Sequence, residues 1–222
     1  MSAEAEATRV GTLVIATGNP GKVKEFRALL APGRVTLLTP EDIGFTGDVK
    51  ETGQSFGENA LLKARALAGL TAFPVLSDDS GLEVEALGGA PGLHTARFAV
   101  SGEAIPGTHG VWDSPGGGQA RANRAKLLHA LEGAQNRKAR FVCTLCYLPG
   151  SGEGPVEPVF FEGFCRGEIA REERGRGGFG YDSLFLPLGF DRTFAELPEA
   201  VKDGLSHRGQ AVKLFLDFRR SA

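Results

Sequence analysis

Two spacings of apolar residues alternate along the chain, and each spacing predicts one kind of element. Residues 13–16 form a short continuous apolar run that predicts a buried β-strand. The apolar residues that follow recur at the spacing of one helix face: Val23, Phe26, Leu29 and Leu30. The pattern therefore predicts a strand and a helix joined by the turn "TGNPGK", residues 17–22.

A second strand and a second helix are predicted next. Residues 35–38 have the apolar character of a strand, and Ser55 and Glu58 form a Ser-x-x-Glu capping box at the start of a helix. This helix is predicted to run to about Ala68. Its predicted buried stripe comprises Phe56, Ala60, Ala64 and Leu67.

The rest of the chain mixes strands, loops and helices. Residues 74–77 predict a strand that runs into "DDSG", and residues 82–86 predict a further strand whose glutamates face solvent. Residues 140–148 and 159–166 are predicted to pair as an antiparallel ribbon, and the segment 101–118, rich in Gly and Pro, predicts a long loop. The remaining predicted elements are a helix at 123–131, a short strand within "DSLFLP", and a C-terminal helix lined by Ala211, Leu214, Phe215 and Phe218.

These elements predict an α/β protein with a mixed central sheet flanked by helices. No linker divides the sequence, so residues 1–222 are expected to form a single domain, with two lobes around a substrate cleft. Within it we expect a flexible N-terminus at residues 1–8 and a long loop insertion at 101–118.

Composition and charge argue against several kinds of partner. The chain has 222 residues, of which 41% are hydrophobic, enough for a packed core. Its 25 basic and 27 acidic residues give a formal net charge of −2, which provides no general attraction to nucleic acid or to an anionic membrane. The sequence starts without the features of a signal peptide, and no apolar run approaches the ~20 residues that span a bilayer. We therefore expect a soluble, cytoplasmic protein that binds neither nucleic acid nor membrane.

The three cysteines predict neither disulfides nor a metal site. Cys143 and Cys146 lie three residues apart in a predicted strand, so they point to opposite faces and do not share one metal ion. No second pair of Cys or His residues completes a set of four ligands. Buried strand thiols are the preferred interpretation.

The "TGNPGK" turn is a candidate phosphate site. A helix N-terminus presents unpaired N–H groups and the positive end of the helix dipole, and Lys22 adds a full charge. The turn lacks the dinucleotide fingerprint, and it departs from the Walker loop because Ala16 and Val23 replace the glycine and the hydroxyl residue of that motif. A plain connection between strand and helix therefore stays open as the alternative.

Two adjacent carboxylates in "LSDDSGLEV" form a second candidate ligand site. Asp78 and Asp79 are predicted at a strand end, where α/β sheets place ligands. Carboxylates there suit Mg²⁺, which prefers oxygen ligands and often bridges to substrate phosphates, and one acid also suits a general base. A solvated turn is the alternative, because Asp, Ser and Gly are common turn residues.

Two further motifs suit a nucleotide base or another oxygen-bearing ligand. In "GGFGYDSLF", Phe179 or Tyr181 is a candidate to stack on a base, and Asp182 to hydrogen-bond its edge or to anchor the loop. A turn with core aromatic residues is the alternative. In "KDGLSHRGQA", cationic donors cluster near a helix start, where a solvated helix end is the alternative: Lys202, His207 and Arg208.

Taken together, these motifs resemble those of the Ham1/RdgB family of inosine triphosphate pyrophosphatases. The resemblance runs from Leu13 to about Phe218 through five ordered blocks: "ATGNPGKVKEF", "ETGQSFGENALLKA", "SDDSGLEVEALGGAPG", "GGFGYD" and "LSHRGQA". It implies an ITPase-like fold and a Mg²⁺-dependent hydrolase that cleaves nucleoside triphosphates between the α- and β-phosphates. It also implies ITP, dITP and XTP as preferred substrates, a homodimer, and the clearance of deaminated purine nucleotides in the cell.

The resemblance also implies roles for residues of this chain. Asp79 would be the proton acceptor and a metal ligand, Glu51 of "ETG" the second metal ligand, and Ser80 a substrate contact. Asp78 is transferred only as a neighbour of the metal, and Lys22 would stabilise charge that develops on the phosphate. The triphosphate would be bound by Thr17, Gly18, Asn19, Pro20, Gly21 and Lys22. Base, sugar and further phosphate contacts would come from Phe179, Gly180, Tyr181, Asp182, Lys202, His207 and Arg208.

Two features depart from the family pattern, and two rival functions stay open. The 101–118 stretch is longer than its counterpart, and Lys50 precedes Glu51 where an acid is more usual. One rival is another nucleotide pyrophosphatase, such as a Maf-like enzyme that acts on pyrimidine nucleotides. The other is a nucleotide-binding regulator without chemistry, which would be expected to lack the metal-linked acids that this chain has.

Overall fold

A computed structural model describes residues 11–106, 118–150 and 157–221. The strands and helices, in chain order, are β1 (Thr12–Ala16), α1 (Pro20–Leu30), β2 (Thr36–Leu38), α2 (Phe56–Ala68), β3 (Val75–Val84), α3 (Gly118–Ala130), β4 (Lys138–Leu148), β5 (Val159–Ile169), β6 (Phe185–Pro187), α4 (Glu199–Leu205) and α5 (His207–Ser221). Short 3₁₀ turns lie at Ala31–Gly33, Glu41–Ile43, Glu85–Leu87 and Gly92–Arg97. The predicted α/β class is confirmed.

The sheet is mixed, as predicted. Among the described residues its six strands follow the order β2-β1-β3-β4-β5-β6. Strand β1 is parallel to both β2 and β3, whereas β5 and β6 are antiparallel. Ala16 at the end of β1 lies opposite Ser77 of β3, so the turn that follows β1 begins level with Asp78. The register of these two strands therefore brings the first two candidate motifs together.

The chain divides into two compact units. The first comprises Met1–Asp79, Thr144–Glu162 and Ala211–Ala222, and the second comprises Ser80–Cys143 and Gly163–Gln210. The first division falls between two consecutive residues of β3. The expectations of a single domain and of a cleft stay predictions.

Each unit has its own apolar core. In the first unit one face of α2 packs against strand residues, and this cluster comprises Val14, Ala16, Ala60, Ala64, Leu67, Val75, Cys146 and Leu148. In the second unit the centre is aromatic, because the ring of Phe141 packs 4.7 Å from that of Phe185 and 5.9 Å from that of Phe194, measured between ring centres. These cores fix the strands and helices that carry the candidate side chains.

Strand β3 corrects one sequence prediction. Residues 74–77 and 82–86 were predicted as separate strands around a "DDSG" turn, but one strand runs continuously from Val75 to Val84. Asp78, Asp79 and Ser80 therefore lie inside a strand, and Ala86 lies in the 3₁₀ turn that follows. Pairing within the sheet outweighs the turn preference of Asp, Ser and Gly, and the alternative of a solvated turn is wrong.

Two predicted buried stripes also need correction. In α2, Phe56 is only partly buried, whereas Asn59 is buried with Ala60, Ala64 and Leu67. In α5, Leu214 is 49% exposed and Val212 is buried in its place. Apolar character alone does not distinguish adjacent positions at the border of a helix face.

Several predictions concern segments outside the described residues. The flexible terminus at 1–8 lies there, as does most of the 101–118 loop, of which only residues 101–106 and Gly118 are described. Helix α3 begins at Gly118, so it starts before the predicted 123–131 helix. None of the helices in the described ranges has the length and apolar character needed to cross a membrane.

Candidate active site

The "TGNPGK" turn has the predicted position between β1 and α1. Asn19 is the N-cap of α1, and its side-chain oxygen accepts hydrogen bonds from the backbone N–H groups of Gly21 (2.9 Å) and Lys22 (3.3 Å). The Thr17 hydroxyl accepts a hydrogen bond from the N–H of Asn19 at 3.2 Å. Pro20, at the first position of the helix, has no N–H group to satisfy. The turn is thus a capped helix start whose own side chains already bind some of its amides.

Lys22 points to a carboxylate of the neighbouring strand. Its Nζ lies 2.5 Å from Oδ1 of Asp78, whose side chain is completely buried. A fully buried carboxylate is stable in its charged form only with a partner, and the ammonium of Lys22 is such a partner. Asp78, transferred from the family only as a neighbour of the metal, therefore links the first turn to β3.

Asp79 lies in a second group of charges. The Nζ of Lys63, from α2, is 2.8 Å from Oδ1 of Asp79 and also 2.8 Å from Oε1 of Glu51. One ammonium group therefore holds the two acids that the family resemblance assigns to a metal. Lys63 was not among the predicted site residues.

Asn59 holds the other oxygen of Asp79. Its side-chain nitrogen donates to Oδ2 of Asp79 at 3.2 Å, and its side-chain oxygen accepts from the N–H of Gly53 at 2.8 Å. Asn59 is 3% exposed, so it connects the "ETG" loop to β3 from inside the protein. Asn59 was not among the predicted site residues.

The environment of this acid group shifts the pKa of both Asp79 and Lys63. Burial raises the pKa of Asp79, and the opposing attraction of Lys63 and Lys22 does not cancel that effect. Burial alone would lower the pKa of Lys63, but the attraction of Asp79 and Asp78 outweighs it and raises the pKa. Lys63 is therefore fully protonated at neutral pH, and Asp79 is a stronger base than an exposed aspartate.

The donor types of the acid group suit a hard cation. Within the described residues, no set of three or more His, Cys, Asp and Glu side chains is arranged to hold a metal ion. Mg²⁺, however, is commonly bound by one or two carboxylates together with substrate phosphates. Glu51 and Asp79 fit that pattern, because oxygens of both already lie 2.8 Å from the same cationic nitrogen.

The "GGFGYD" motif forms a tight turn in the second unit. Oδ2 of Asp182 accepts a hydrogen bond from the N–H of Phe179 at 2.9 Å and from Nζ of Lys202 at 2.6 Å. Gly178 has φ of +68°, and a Cβ there would collide with the carboxylate of Asp182, so both the backbone and the space require glycine. Asp182 thus anchors the turn, as one of the sequence interpretations proposed.

The two aromatic residues of this turn differ in environment. Tyr181 is 3% exposed, packs in the core, and donates from its hydroxyl to the carbonyl oxygen of Thr95 at 3.0 Å. Burial raises the pKa of this hydroxyl. Phe179 is only partly buried, and the Nζ of Lys202 and the Cζ of Arg208 lie 5.5 and 5.8 Å from its ring centre. Of the two, Phe179 is the better placed to stack on a base.

The remaining predicted residues lie around the start of α5 or contact it. Arg208 donates from Nη2 to the hydroxyl of Ser80 at 3.0 Å. The ring of His207 is buried and stacks on Phe141, with ring centres 4.7 Å apart. The structure therefore groups the predicted residues, together with Asn59 and Lys63, into two clusters, which we name for the ligands that the family resemblance implies: a phosphate and acid cluster in the first unit and a base cluster in the second. The phosphate and acid cluster comprises residues 17–22, Glu51, Asn59, Lys63, Asp78 and Asp79; the base cluster comprises Ser80, residues 179–182, Lys202, His207 and Arg208.

A signal for the two missed residues was present in the sequence. Asn59 and Lys63 are four residues apart, so they lie on one face of α2. They flank the apolar stripe, where polar residues ordinarily face solvent. Only the packing of this helix against β3 shows that both side chains reach Asp79.

These features define a class of protein, namely an α/β protein with the residue types of a nucleotide hydrolase. The Ham1 family model matches residues 13–218. The chain belongs to the Ham1 family, and the family expected from the sequence is confirmed.

Similar proteins cover nearly the whole chain. The dITP/XTP pyrophosphatase of Thioalkalivibrio sulfidiphilus is 44% identical over 92% of this chain and 96% of its own length. The dITP/XTP pyrophosphatase of Escherichia coli is 42% identical over 94% of this chain and 98% of its own. Among solved structures, the Staphylococcus aureus Ham1 protein has a TM-score of 0.75 at 37% identity, covering 95% of this chain and 98% of its own.

Proposed function

We propose that this chain hydrolyses deaminated purine nucleoside triphosphates, namely dITP, ITP and XTP, to a nucleoside monophosphate and pyrophosphate. The observation that carries the proposal is the fixed carboxylate of Asp79, held by Lys63 and Asn59, in a chain whose relatives are named dITP/XTP pyrophosphatases. In the cytoplasm, the activity would remove these nucleotides before polymerases use them.

The phosphates would bind at the first turn. Thr17 to Lys22 lie between β1 and α1, where the helix dipole favours an anion. Lys22 would share its ammonium between Asp78 and the phosphate oxygens. Its charge would then stabilise the negative charge that develops as the phosphoanhydride bond breaks.

Asp79 would act as the general base. A water oxygen attacks the α-phosphorus, its proton passes to the carboxylate of Asp79, and the bond from the α-phosphorus to the bridging oxygen breaks. Pyrophosphate leaves with the electrons of that bond. Because Lys63 holds Oδ1 and Asn59 holds Oδ2, the carboxylate is oriented before substrate arrives.

Glu51 and Asp79 would hold Mg²⁺ together with the phosphates. When bound, the ion supplies positive charge that neutralises the phosphates and orients the attacking water. Lys63 now contacts an oxygen of each acid, so it would exchange at least one of these contacts on binding. Lys63 would thus keep the two acids close together before the substrate arrives.

The base cluster would select the purine. Phe179 would stack on the ring system, while the donors of Lys202 and Arg208 would meet the oxygen at position six of hypoxanthine or xanthine. Adenine carries an amino donor at that position, so two donors would face each other. Such a mismatch costs roughly 1–3 kcal/mol, which corresponds to about fivefold to 150-fold discrimination.

A substrate panel tests the proposal. Wild-type protein is incubated with dITP, XTP, dATP, dGTP and dTTP, each with Mg²⁺ and with chelator, and both products are identified. We expect metal-dependent formation of monophosphate and pyrophosphate, fastest with dITP and XTP. Preference for dTTP would identify a pyrimidine-directed pyrophosphatase instead, and nucleotide binding without turnover would identify a regulator.

We also propose a homodimer, on the basis of the family resemblance. Light scattering coupled to size-exclusion chromatography tests it directly. The expected mass is that of two 23.4 kDa chains, and elution as a single 23.4 kDa chain across the working concentration range would contradict the proposal.

A further inference from the structure

The turn that carries Phe179 is held by a side chain that has no part in the mechanism above. Gly180, at the tip of the turn, has φ of +61°. Its carbonyl oxygen accepts a hydrogen bond from Nη1 of Arg124, on α3, at 3.0 Å. This bond is charge-assisted, and such bonds are stronger than those between neutral groups.

The guanidinium of Arg124 is itself fixed in place. Its Nε donates to Oε2 of Glu173 at 2.8 Å, and the Ser183 hydroxyl donates to the same oxygen at 3.0 Å. The Arg124 side chain is 20% exposed, so solvent only partly competes for these contacts. The planar guanidinium thereby joins three segments of the second unit: α3, the loop at Glu173, and the turn that continues into Ser183.

The residue before Arg124 supports the other side of the same turn. Asn123 is buried and donates from Nδ2 to the carbonyl oxygen of Thr95 at 3.3 Å. The Tyr181 hydroxyl donates to that same oxygen at 3.0 Å. Two consecutive residues of α3 thus fix both flanks of the turn, one through the carbonyl of Gly180 and one through the acceptor of Tyr181.

We propose that Arg124 is a positioning residue for base recognition, acting through the carbonyl of Gly180 on the turn Phe179–Asp182. This inference rests on the proposed function, because it assigns the base to Phe179. If this turn shifts, the ring of Phe179 moves relative to Lys202, and the carboxylate of Asp182 moves with it. Arg124 therefore affects binding of the purine. It does not affect the breaking of the phosphoanhydride bond, which depends on Asp79 and Lys22.

The test compares Arg124→Ala and Arg124→Lys with a matched control, Arg140→Ala. Arg140 forms an Arg–Glu pair in the same unit, from its Nε to Oε2 of Glu83 at 2.6 Å, and this more exposed pair lies outside the base cluster. Its loss therefore reports the general cost of removing an Arg–Glu pair. Steady-state kinetics are measured with dITP and dATP, together with inhibition by inorganic pyrophosphate and the melting temperature.

For Arg124→Ala we expect KM for dITP to rise about tenfold while kcat stays within about twofold. The preference for dITP over dATP should fall, and the inhibition constant of pyrophosphate, a probe of the phosphate and acid cluster, should not change. Arg124→Lys should recover part of the lost affinity. A lysine ammonium can donate to the carbonyl of Gly180, but it lacks the planar set of N–H groups with which a guanidinium also reaches Glu173. Arg140→Ala should match wild type in KM, kcat, the preference for dITP and the inhibition constant of pyrophosphate, and its melting temperature gives the cost of losing an Arg–Glu pair.

Hydrogen–deuterium exchange of a peptide spanning residues 177–185 separates this inference from the proposed function. Faster exchange in Arg124→Ala, but not in Arg140→Ala, supports the anchoring role whether or not wild type cleaves dITP. Equal exchange in both variants, or a KM that does not move, overturns the inference even if wild type is an active dITP pyrophosphatase. A fall in both kcat and melting temperature, with KM unchanged, also overturns the inference, because a general structural defect produces that result.

Discussion

At the scale of single residues, the proposed chemistry depends most on Asp79. Each of its oxygens has a different donor, the ammonium of Lys63 on one side and the amide of Asn59 on the other. Burial also raises its pKa, which increases its strength as a base. Orientation and basicity are therefore both set by neighbouring side chains before the substrate binds.

Replacing Asp79 with asparagine should lower kcat for dITP by about two orders of magnitude or more. The change keeps the size of the side chain but removes the proton acceptor, and general-base help is worth about that much. Turnover is measured as pyrophosphate released under saturating Mg²⁺ and dITP. Asp217→Asn serves as the control, because Asp217 lies in an exposed pair with Arg220 on α5. A kcat for Asp79→Asn equal to that of the control would remove Asp79 from this role.

The sequence predicted residues whose chemistry is local but missed those whose role depends on tertiary position. Asp79, Glu51 and Lys22 belong to short motifs, and the structure places each in the phosphate and acid cluster. Asn59 and Lys63 occupy ordinary positions on a helix. Their importance follows from the packing of α2 against β3, which single-sequence periodicity does not reveal.

At the scale of elements, the two ends of α2 were predicted correctly, although its buried stripe was not. Its N-cap is Ser55, whose hydroxyl accepts from the N–H of Glu58 at 3.1 Å, and the helix ends at Ala68. The Glu58 carboxylate accepts from the N–H of Gln54 at 2.7 Å, one residue earlier than in the usual capping box. Capping was predictable because it depends on residues only a few positions apart.

Removing this cap should destabilise the protein modestly. Ser55→Ala leaves the N–H of Glu58 without its side-chain acceptor, at a typical cost of ~1 kcal/mol. For a chain of this size, the melting temperature should fall by about 2–4 °C, as measured by differential scanning calorimetry. Ser221→Ala, at the end of α5, is a fair comparison because its hydroxyl only supplements the last turn. If both variants melt together with wild type, the cap makes no net contribution.

Strand β3 shows where prediction from local propensity failed. Asp, Ser and Gly favour turns, but here they continue a strand in which Asp78 is fully buried. The cost of burying its charge is offset by Lys22, a residue that lies far away in sequence. The failure thus falls at the candidate site, where local preference and tertiary structure conflict.

At the scale of the whole molecule, the cysteines lie in two strands of the sheet, Cys143 and Cys146 in β4 and Cys165 in β5. All three cysteines are buried, and burial raises the pKa of Cys146 and of Cys165 to about 12. A raised pKa means less thiolate, and the thiolate is the nucleophile. The three cysteines are therefore buried strand thiols, as the sequence predicted.

Native protein should accordingly react very slowly with the thiol reagent DTNB at pH 8. At that pH, a thiol with a pKa near 12 is ionised to about one part in ten thousand, and burial further limits access. The same protein in guanidinium chloride should titrate three thiols. Rapid reaction of even one thiol in the native protein would show that the sheet opens readily around β4 or β5.

The charges of the phosphate and acid cluster have a further consequence for stability. Lys22 pairs with Asp78, and Lys63 pairs with both Glu51 and Asp79, so the acids have cationic partners within the protein itself. Structural zinc domains differ, because they unfold when the metal is removed. Chelator should therefore abolish pyrophosphate release while moving the melting temperature by less than about 2 °C. A large drop in melting temperature would show that the cluster needs an added cation in order to fold.

Because Lys22 and Lys63 pair with the acids when no metal is bound, the start of the reaction could be set by the addition of Mg²⁺. A sample stored with chelator would stay folded but inactive, and it could be mixed with dITP in advance. Adding excess Mg²⁺ would then start every molecule at the same instant, which gives a defined zero time for following a single turnover.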